Sequence, residues 1–232
     1  MAVFPKNQKK GYNHDLGCAE PLTLTFPDGL STSRPRIGKQ MLTGIQQSVA
    51  ILLTGIVYYA VDAWLIRRFD PYRPGQGSGR SWGYTAFMVA FLTLLIAQPV
   101  LLPGLGLRVD AWWGLALQAA GMLLIAGSLA LHWWARSHLR QFYVEDVQFQ
   151  DGQCLVDSGP YQYVRHPVFT SFFLVAIGLL LVNPALTTLL MLVYVCVDFP
   201  RAAHREEELL AEKLPDYTDY MERTGRFVPK WR

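Results

Sequence analysis

The chain has 232 residues, a formal net charge of only +3 and a hydrophobic fraction of 51%. That is too apolar for an ordinary soluble domain and predicts an all-α, polytopic membrane bundle. Its basic residues flank apolar runs and form no tract, which argues against nucleic acid as a partner. Cys18, Cys154 and Cys196 lie too far apart in sequence to suggest a disulfide framework or a zinc site, and no metal is expected.

Residues 1–42 form a polar arm with no helical period, in which Lys9-Lys10 and Arg34, Arg36 and Lys39 read as solvated surface. The first long apolar run starts past residue 40, which argues against a cleaved signal peptide. Residues 43–110 hold the first two spans and the loop between them. The first span runs from about Ile45 to Ile66 and is stopped by Arg67-Arg68; Asp62, one turn from that end, is expected to reach the interface or a nearby arginine. Phe69 to Gly83 is a Pro- and Gly-rich loop. The second span runs from about Tyr84 to Leu102, kinked or ended by Pro99, and Pro103 to Gly106 is a turn. A third span is bracketed by Trp112-Trp113 and Trp133-Trp134. At about 1.5 Å per residue it is about 31 Å long, which matches the hydrocarbon core and puts both pairs in the aromatic belts.

Next comes the polar segment Gly159-Pro160-Tyr161-Gln162-Tyr163-Val164-Arg165-His166-Pro167, which runs straight into apolar sequence. His166 precedes a proline and is pushed out of the α region, while Pro167 suits the first position of a helix. Free N–H groups at that start, beside Arg165 and His166, make an anion clamp at the membrane surface. The alternative is a basic flank anchoring a span to headgroups. The apolar stretch from Val168 to Phe199 is interrupted by Asn183-Pro184, which predicts a hairpin of two short helices of about 22 Å each, within residues 168–203. A hairpin returns Glu206-Glu207-Glu208 to the same face as Arg165-His166. A single tilted helix would separate them.

Five spans gather Arg67, Arg68, Arg73, Arg80, Arg136, Arg140 and Arg165 on the side of the C-terminus, so that side is expected to be cytoplasmic and the N-terminal arm to lie outside. Residues Arg201 to Arg232 mix both charges with Leu209, Leu210, Leu214, Tyr217 and Tyr220 at helical spacing, which predicts an amphipathic helix on the cytosolic face. Adjacent glutamates point about 100° apart on a helix, so at most one or two of the three can converge inward.

These residues carry a resemblance. Leu155-Val156, Gly159-Pro160-Tyr161, Val164-Arg165-His166-Pro167, the hairpin, Glu206-Glu207 and the Tyr217/Tyr220 tail ending in Val228-Pro229 resemble the isoprenylcysteine carboxyl methyltransferase family. That family belongs with the phospholipid methyltransferases among integral-membrane enzymes using S-adenosylmethionine. The resemblance covers about residues 115 to 230. It implies a methyltransferase core over residues 111–232, comprising the third span, a cofactor loop at 135–167, the hairpin at 168–203 and a cytosolic segment at 204–232. It further implies that Val156, Gly159, Tyr161, Arg165, His166 and Pro167 help hold S-adenosylmethionine from the cytosolic side, and that one or both of Glu206 and Glu207 bind its amino-acid part. Phe169 and Ser171 stand where the family usually has Tyr and Gly, and Leu214-Pro215 replaces its Phe-Gly. The added hydroxymethyl of Ser171 is expected to narrow close helix approach.

The chemistry of the residues agrees. The cofactor presents a carboxylate and an ammonium on one arm, and a helix start with Arg165 and His166 facing a glutamate pair supplies both complements. A lipophilic acceptor would enter from the bilayer. A carboxylate acceptor of the isoprenylcysteine type is already ionised and needs no base, and Arg201 and Arg205, one turn apart, could steer it; their alternative role is pairing with Asp198 and Glu208. An amine acceptor, as in a phospholipid N-methyltransferase, would need a base such as His204. Other readings are an NADPH-dependent sterol-type membrane reductase, whose turn more usually reads Arg-His-Pro-Asn-Tyr, and a non-catalytic binding protein on the same scaffold.

Overall fold

Proline and glutamine chemistry fixes where the helices of this protein begin and end. Its computed structural model describes residues 42–69, 82–107, 112–139 and 155–230, the side chains of 82–85 and 112 excepted. The N-terminal arm, the 70–81 loop and residues 140–154, with Cys18, Cys154, Arg73, Arg80 and Arg140, lie outside the described residues. Every described residue lies in one compact unit, Ile37–Arg232.

The helices are α1 (Ile45–Phe69), α2 (Trp82–Leu101), α3 (Trp112–Leu139), α4 (Pro167–Val182), α5 (Leu186–Lys213) and the short α6 (Tyr217–Arg223), with 3-10 turns at Pro103–Leu105 and Gly159–Gln162. Three, Ile45–Phe69, Trp113–Leu139 and Leu186–Lys213, are long and apolar enough to cross a membrane; Ala86–Leu101 and Pro167–Val182 are shorter apolar helices. Together they make the expected all-α membrane bundle with a C-terminal helical hairpin. Leu52, Leu53, Ile56 and Val57 on α1 and Leu189, Leu190, Val193 and Val197 on α5 are exposed, as lipid-facing residues should be. Trp113 at one end of α3 and Trp133 and Trp134 near the other are also exposed, as membrane-interface residues should be.

The hairpin turn is sealed from several sides. α4 ends at Asn183, and Ala185 caps α5, its N–H donating to Thr188 Oγ1 at 3.2 Å while that hydroxyl donates to Asn183 O at 2.7 Å. A helix end within a bilayer must satisfy its last carbonyls internally. Gln47 of α1 and Gln118 of α3 both donate to Val182 O, at 3.0 and 3.2 Å, and Gln98 of α2 accepts from Asn183 Nδ2 and Thr187 Oγ1 at 2.8 and 3.2 Å. Leu107 N–H donates to Pro184 O at 2.7 Å, so the α2–α3 turn and the hairpin turn share one end of the bundle.

α3 and α4 cross at Gly121 and Gly178. A Cβ on Gly121 would sit 2.7 Å from Gly178 O, and one on Gly178 would sit 2.8 Å from Gly121 O. Only glycine at both positions permits this close crossing. Ser171 Oγ donates to Val168 O at 2.6 Å and meets His132 Nδ1 at 3.1 Å, so its hydroxyl is used by α3. Asp62 likewise turns inward, its Oδ1 taking His132 Nε2 at 3.0 Å and Arg136 Nε at 2.9 Å.

The C-terminal third departs from expectation. α5 does not stop near residue 203 but continues through Pro200 to Lys213, about 42 Å of helix. A proline removes one backbone bond, and the strong helix formers of Arg205-Glu206-Glu207-Glu208-Leu209-Leu210-Ala211-Glu212-Lys213 carry the helix on. It ends at Leu214, extended because Pro215 follows. There is thus no single amphipathic helix from Arg201 onward: the segment is the end of α5, the seven-residue α6 and a non-helical tail.

Candidate active site at the Arg-His-Pro turn

His166 caps α4 with φ −123° and ψ 62°, outside the α region as a residue before proline should be, and Pro167 is the first helical residue. Just upstream, Gly159 has φ +61°, and a Cβ there would lie 2.5 Å from the His138 ring, so both backbone hand and space require glycine. Tyr161 is buried with Ala135 and Val168, flanked by Val156 and Phe172, which fastens the turn to α3. Its carbonyl accepts a 2.7 Å hydrogen bond from Tyr220 of α6.

The tail then runs back along the turn. Gly225 N–H donates to Tyr163 O at 3.2 Å, Arg165 N–H to Gly225 O at 2.8 Å and His166 N–H to Arg226 O at 3.1 Å. Thr170 Oγ1 donates to Phe227 O at 2.8 Å. The carboxylate that meets both Arg165 and His166 is that of Glu207. Glu207 is 4% exposed, and its Oε1 accepts from Arg165 Nε at 2.8 Å, His166 Nε2 at 3.2 Å and Arg226 Nε at 3.2 Å. Its Oε2 accepts from Arg226 Nε at 3.0 Å and from Arg226 Nη2. Glu206, about 100° round the helix, has a half-exposed carboxylate 3.4 Å from His166 Nδ1.

Burial alone would lower the pKa of His166, but the hydrogen bonds and charges of Glu206 and Glu207 outweigh it, and the pKa is raised. Burial also pushes the Tyr217 and Tyr220 phenols up, so both stay neutral. Phe169 stacks on the His166 ring at 5.5 Å and packs against Phe199 at 5.0 Å, which fills with hydrophobic contact the place of the family's tyrosine.

Residues 119–212 match the model of the isoprenylcysteine carboxyl methyltransferase (ICMT) family. This segment belongs to that family. The ICMT match takes in α3 from its third turn, the Gly159–Gln162 turn, the hairpin and nearly all of α5. The chain is 28% identical over 123 residues to the nickel-cobalt-cadmium resistance protein NccN of Alcaligenes xylosoxydans xylosoxydans, covering 52% of this chain and 54% of that protein. It is 33% identical over 78 residues to the cobalt-zinc-cadmium resistance protein CzcN of Cupriavidus metallidurans, covering 33% and 36%. The chain thus spans about half the length, or less, of these relatives. The solved eukaryotic intramembrane Ras methyltransferase ICMT shares its fold, with a TM-score of 0.62 at 21% identity over 80% of this chain and 67% of that one.

The structure brings Arg165, His166, Pro167, Glu206 and Glu207 together, with Gly159 and Tyr161 in the adjoining turn and Val156, upstream of it, packed against the Tyr161 cluster. Arg201 and Arg205 are exposed, and Arg205 points about 200° round α5 from Glu207. Their alternative partners are otherwise engaged: Asp198 accepts from Tyr194 at 3.2 Å, and Glu208 lies 3.4 Å from His204. Sequence reasoning missed Arg226 and His138, and it singled out Tyr220 only as part of the tail that carries the resemblance, not for its hydrogen bond to the turn. The signal available was Gly225-Arg226-Phe227, a glycine and a cation directly before Val228-Pro229. A Cβ on Gly225 would lie 1.7 Å from Val228 O, so only glycine lets the chain fold back here.

Proposed function

We propose that this protein is an S-adenosylmethionine-dependent methyltransferase acting on a lipophilic acceptor, with a carboxylate of the isoprenylcysteine type as the first candidate. The observation that carries the reading is the cluster of Arg165, His166, Glu206, Glu207 and Arg226 at one end of the bundle, inside or beside the ICMT-family segment. The donor set fits the cofactor. Carboxylates at Glu206 and Glu207 complement an ammonium, guanidinium groups complement a carboxylate, and the turn at Gly159 to Tyr161 lies beside them on α3. When bound, S-adenosylmethionine supplies an electrophilic methyl group. The chain's own residues anchor and orient the cofactor, and the helices around Phe172, Phe173 and Phe199 present an aromatic wall that suits an apolar acceptor and excludes water. An ionised carboxylate needs no base. Arg201 and Arg205, exposed on α5, are candidates to meet such an anion arriving along the membrane surface.

Arg67 and Arg68 end α1 and Arg136 lies in the last turn of α3, which supports a cytoplasmic location for this end of the bundle. The names of NccN and CzcN point to heavy-metal resistance as the setting in which the protein acts. The test is methyl transfer from radiolabelled S-adenosylmethionine by the chain in lipid nanodiscs, with N-acetyl-S-farnesylcysteine and phosphatidylethanolamine as separate acceptors. Base-labile label on the first supports the carboxylate reading, and stable label on the second replaces it with N-methylation. Binding of NADPH with none of S-adenosylhomocysteine would overturn both in favour of a reductase.

A further inference from the structure

The buried members of the charged cluster already satisfy one another. Arg165, 9% exposed, spends Nε on Glu207 and Nη1 on the carbonyls of Met221 and Thr224, which pins α6 and the tail to the turn. Its guanidinium is committed to the fold. Two members of opposite charge instead reach water, Arg226 at 38% and Glu206 at 40% exposure. An α-amino-acid group is itself a carboxylate and an ammonium on one carbon, and entering from the aqueous side it meets these two first.

Arg226 has the right chemistry and the right tether. Its guanidinium straddles both oxygens of Glu207 in the fork geometry that a ligand carboxylate would take. Its main chain is held, because Arg226 O accepts from His166 N–H and Gly225 O from Arg165 N–H, so the side chain can turn without the tail leaving. Glu207 keeps Arg165 and His166 when it does.

Building on the cofactor reading above, we propose that Arg226, and not Arg165, receives the carboxylate of the cofactor's amino-acid end, with Glu206 taking its ammonium and Arg165 acting as the positioning residue that fixes Glu207 and the tail.

The test is calorimetric titration of the full chain in nanodiscs with S-adenosylhomocysteine, its decarboxylated analogue, which keeps the amine, and 5′-methylthioadenosine, which has neither group. Arg226→Gln is expected to weaken S-adenosylhomocysteine by about tenfold or more and to leave the decarboxylated analogue within about twofold. Arg226→Lys should recover part of the loss, since it restores charge but not the fork. Glu206→Gln should weaken both amine-bearing ligands and spare methylthioadenosine. An equal loss on all three ligands in Arg226→Gln would mean that Arg226 only orders the site, and would overturn the proposal, as would no loss at all. If Arg226→Gln fails to fold, the ratio of the two amine-bearing ligands in Arg226→Lys decides in the same way. If the unaltered chain binds none of the three, the cofactor reading fails and takes this assignment with it.

Discussion

Arg165 and Glu207, 42 positions apart, meet at 2.8 Å with both side chains buried, and this contact ties the start of α4 to the end of α5. A buried pair of this kind is expensive to break from one side, because the remaining charge stays out of water. Glu207→Gln should therefore cost about 3–5 kcal/mol, whereas Arg226→Gln, which removes the half-exposed cation, should cost about 1 kcal/mol or less. Reversible unfolding in detergent micelles measures both. Equal costs would mean that Arg165 and His166 do not share the Glu207 charge as the distances imply.

The raised pKa of His166 gives a pH dependence with a definite sign. A histidine whose folded pKa exceeds its unfolded value stabilises fully below the unfolded pKa and loses that contribution as pH rises through the folded one. The groups that face it are Glu206 and Glu207 from α5, with the rings of Phe169 and Phe227. The melting temperature of the unaltered chain should thus exceed that of His166→Gln most at pH 5–6, and the gap should narrow toward pH 9. A gap that widens with pH would mean that His166 is held neutral.

The close crossing of α3 and α4 predicts a contrast between glycines. Gly178→Ala would place a methyl 2.8 Å from a backbone oxygen, and should cost about 1–3 kcal/mol. Gly127→Ala, on the open side of the same α3, has nothing within 4 Å of its added Cβ and should be neutral or stabilising by up to about 1 kcal/mol. Comparing the two unfolding temperatures tests the crossing directly.

The hairpin was legible in the sequence because Asn183-Pro184 acts locally: a proline stops one helix and starts the next wherever it sits. From that turn alone it followed that Arg165-His166 and Glu206-Glu207 return to one face, and the 3.2 Å contact of His166 with Glu207 bears this out. The length of α5 was not legible. A charged stretch after an apolar run reads equally as an interfacial helix or as a span running on into water, and only its packing decides. Arg226 was hidden because its place depends on main-chain pairing of residues 225–226 with 165–166, which no local pattern encodes. The glutamines at positions 47, 98 and 118 were hidden for the same reason. Gln47 and Gln118 both serve the distant carbonyl of Val182, and Gln98 accepts from Asn183 and Thr187 across the bundle; a lone polar residue in an apolar run does not say which distant group it serves.

Asp62 carries the last prediction. Its Oδ1 accepts from His132 Nε2 and Arg136 Nε of α3, and both of those residues are almost wholly buried. Through the other ring nitrogen of His132 the contact reaches Ser171 of α4, so one carboxylate holds three helices in register. Asp62→Ala withdraws the acceptor from two buried donors at once and should cost about 3–5 kcal/mol, while Asp62→Asn keeps one acceptor oxygen and should fall between it and the unaltered chain. Ser171→Ala removes only the outermost link and should cost about 1 kcal/mol. Unfolding in detergent ranks the three. If Asp62→Ala lies within about 0.5 kcal/mol of the unaltered chain, as an ordinary surface substitution would, the carboxylate is snorkelling to the interface and the network does not hold α1 to the bundle.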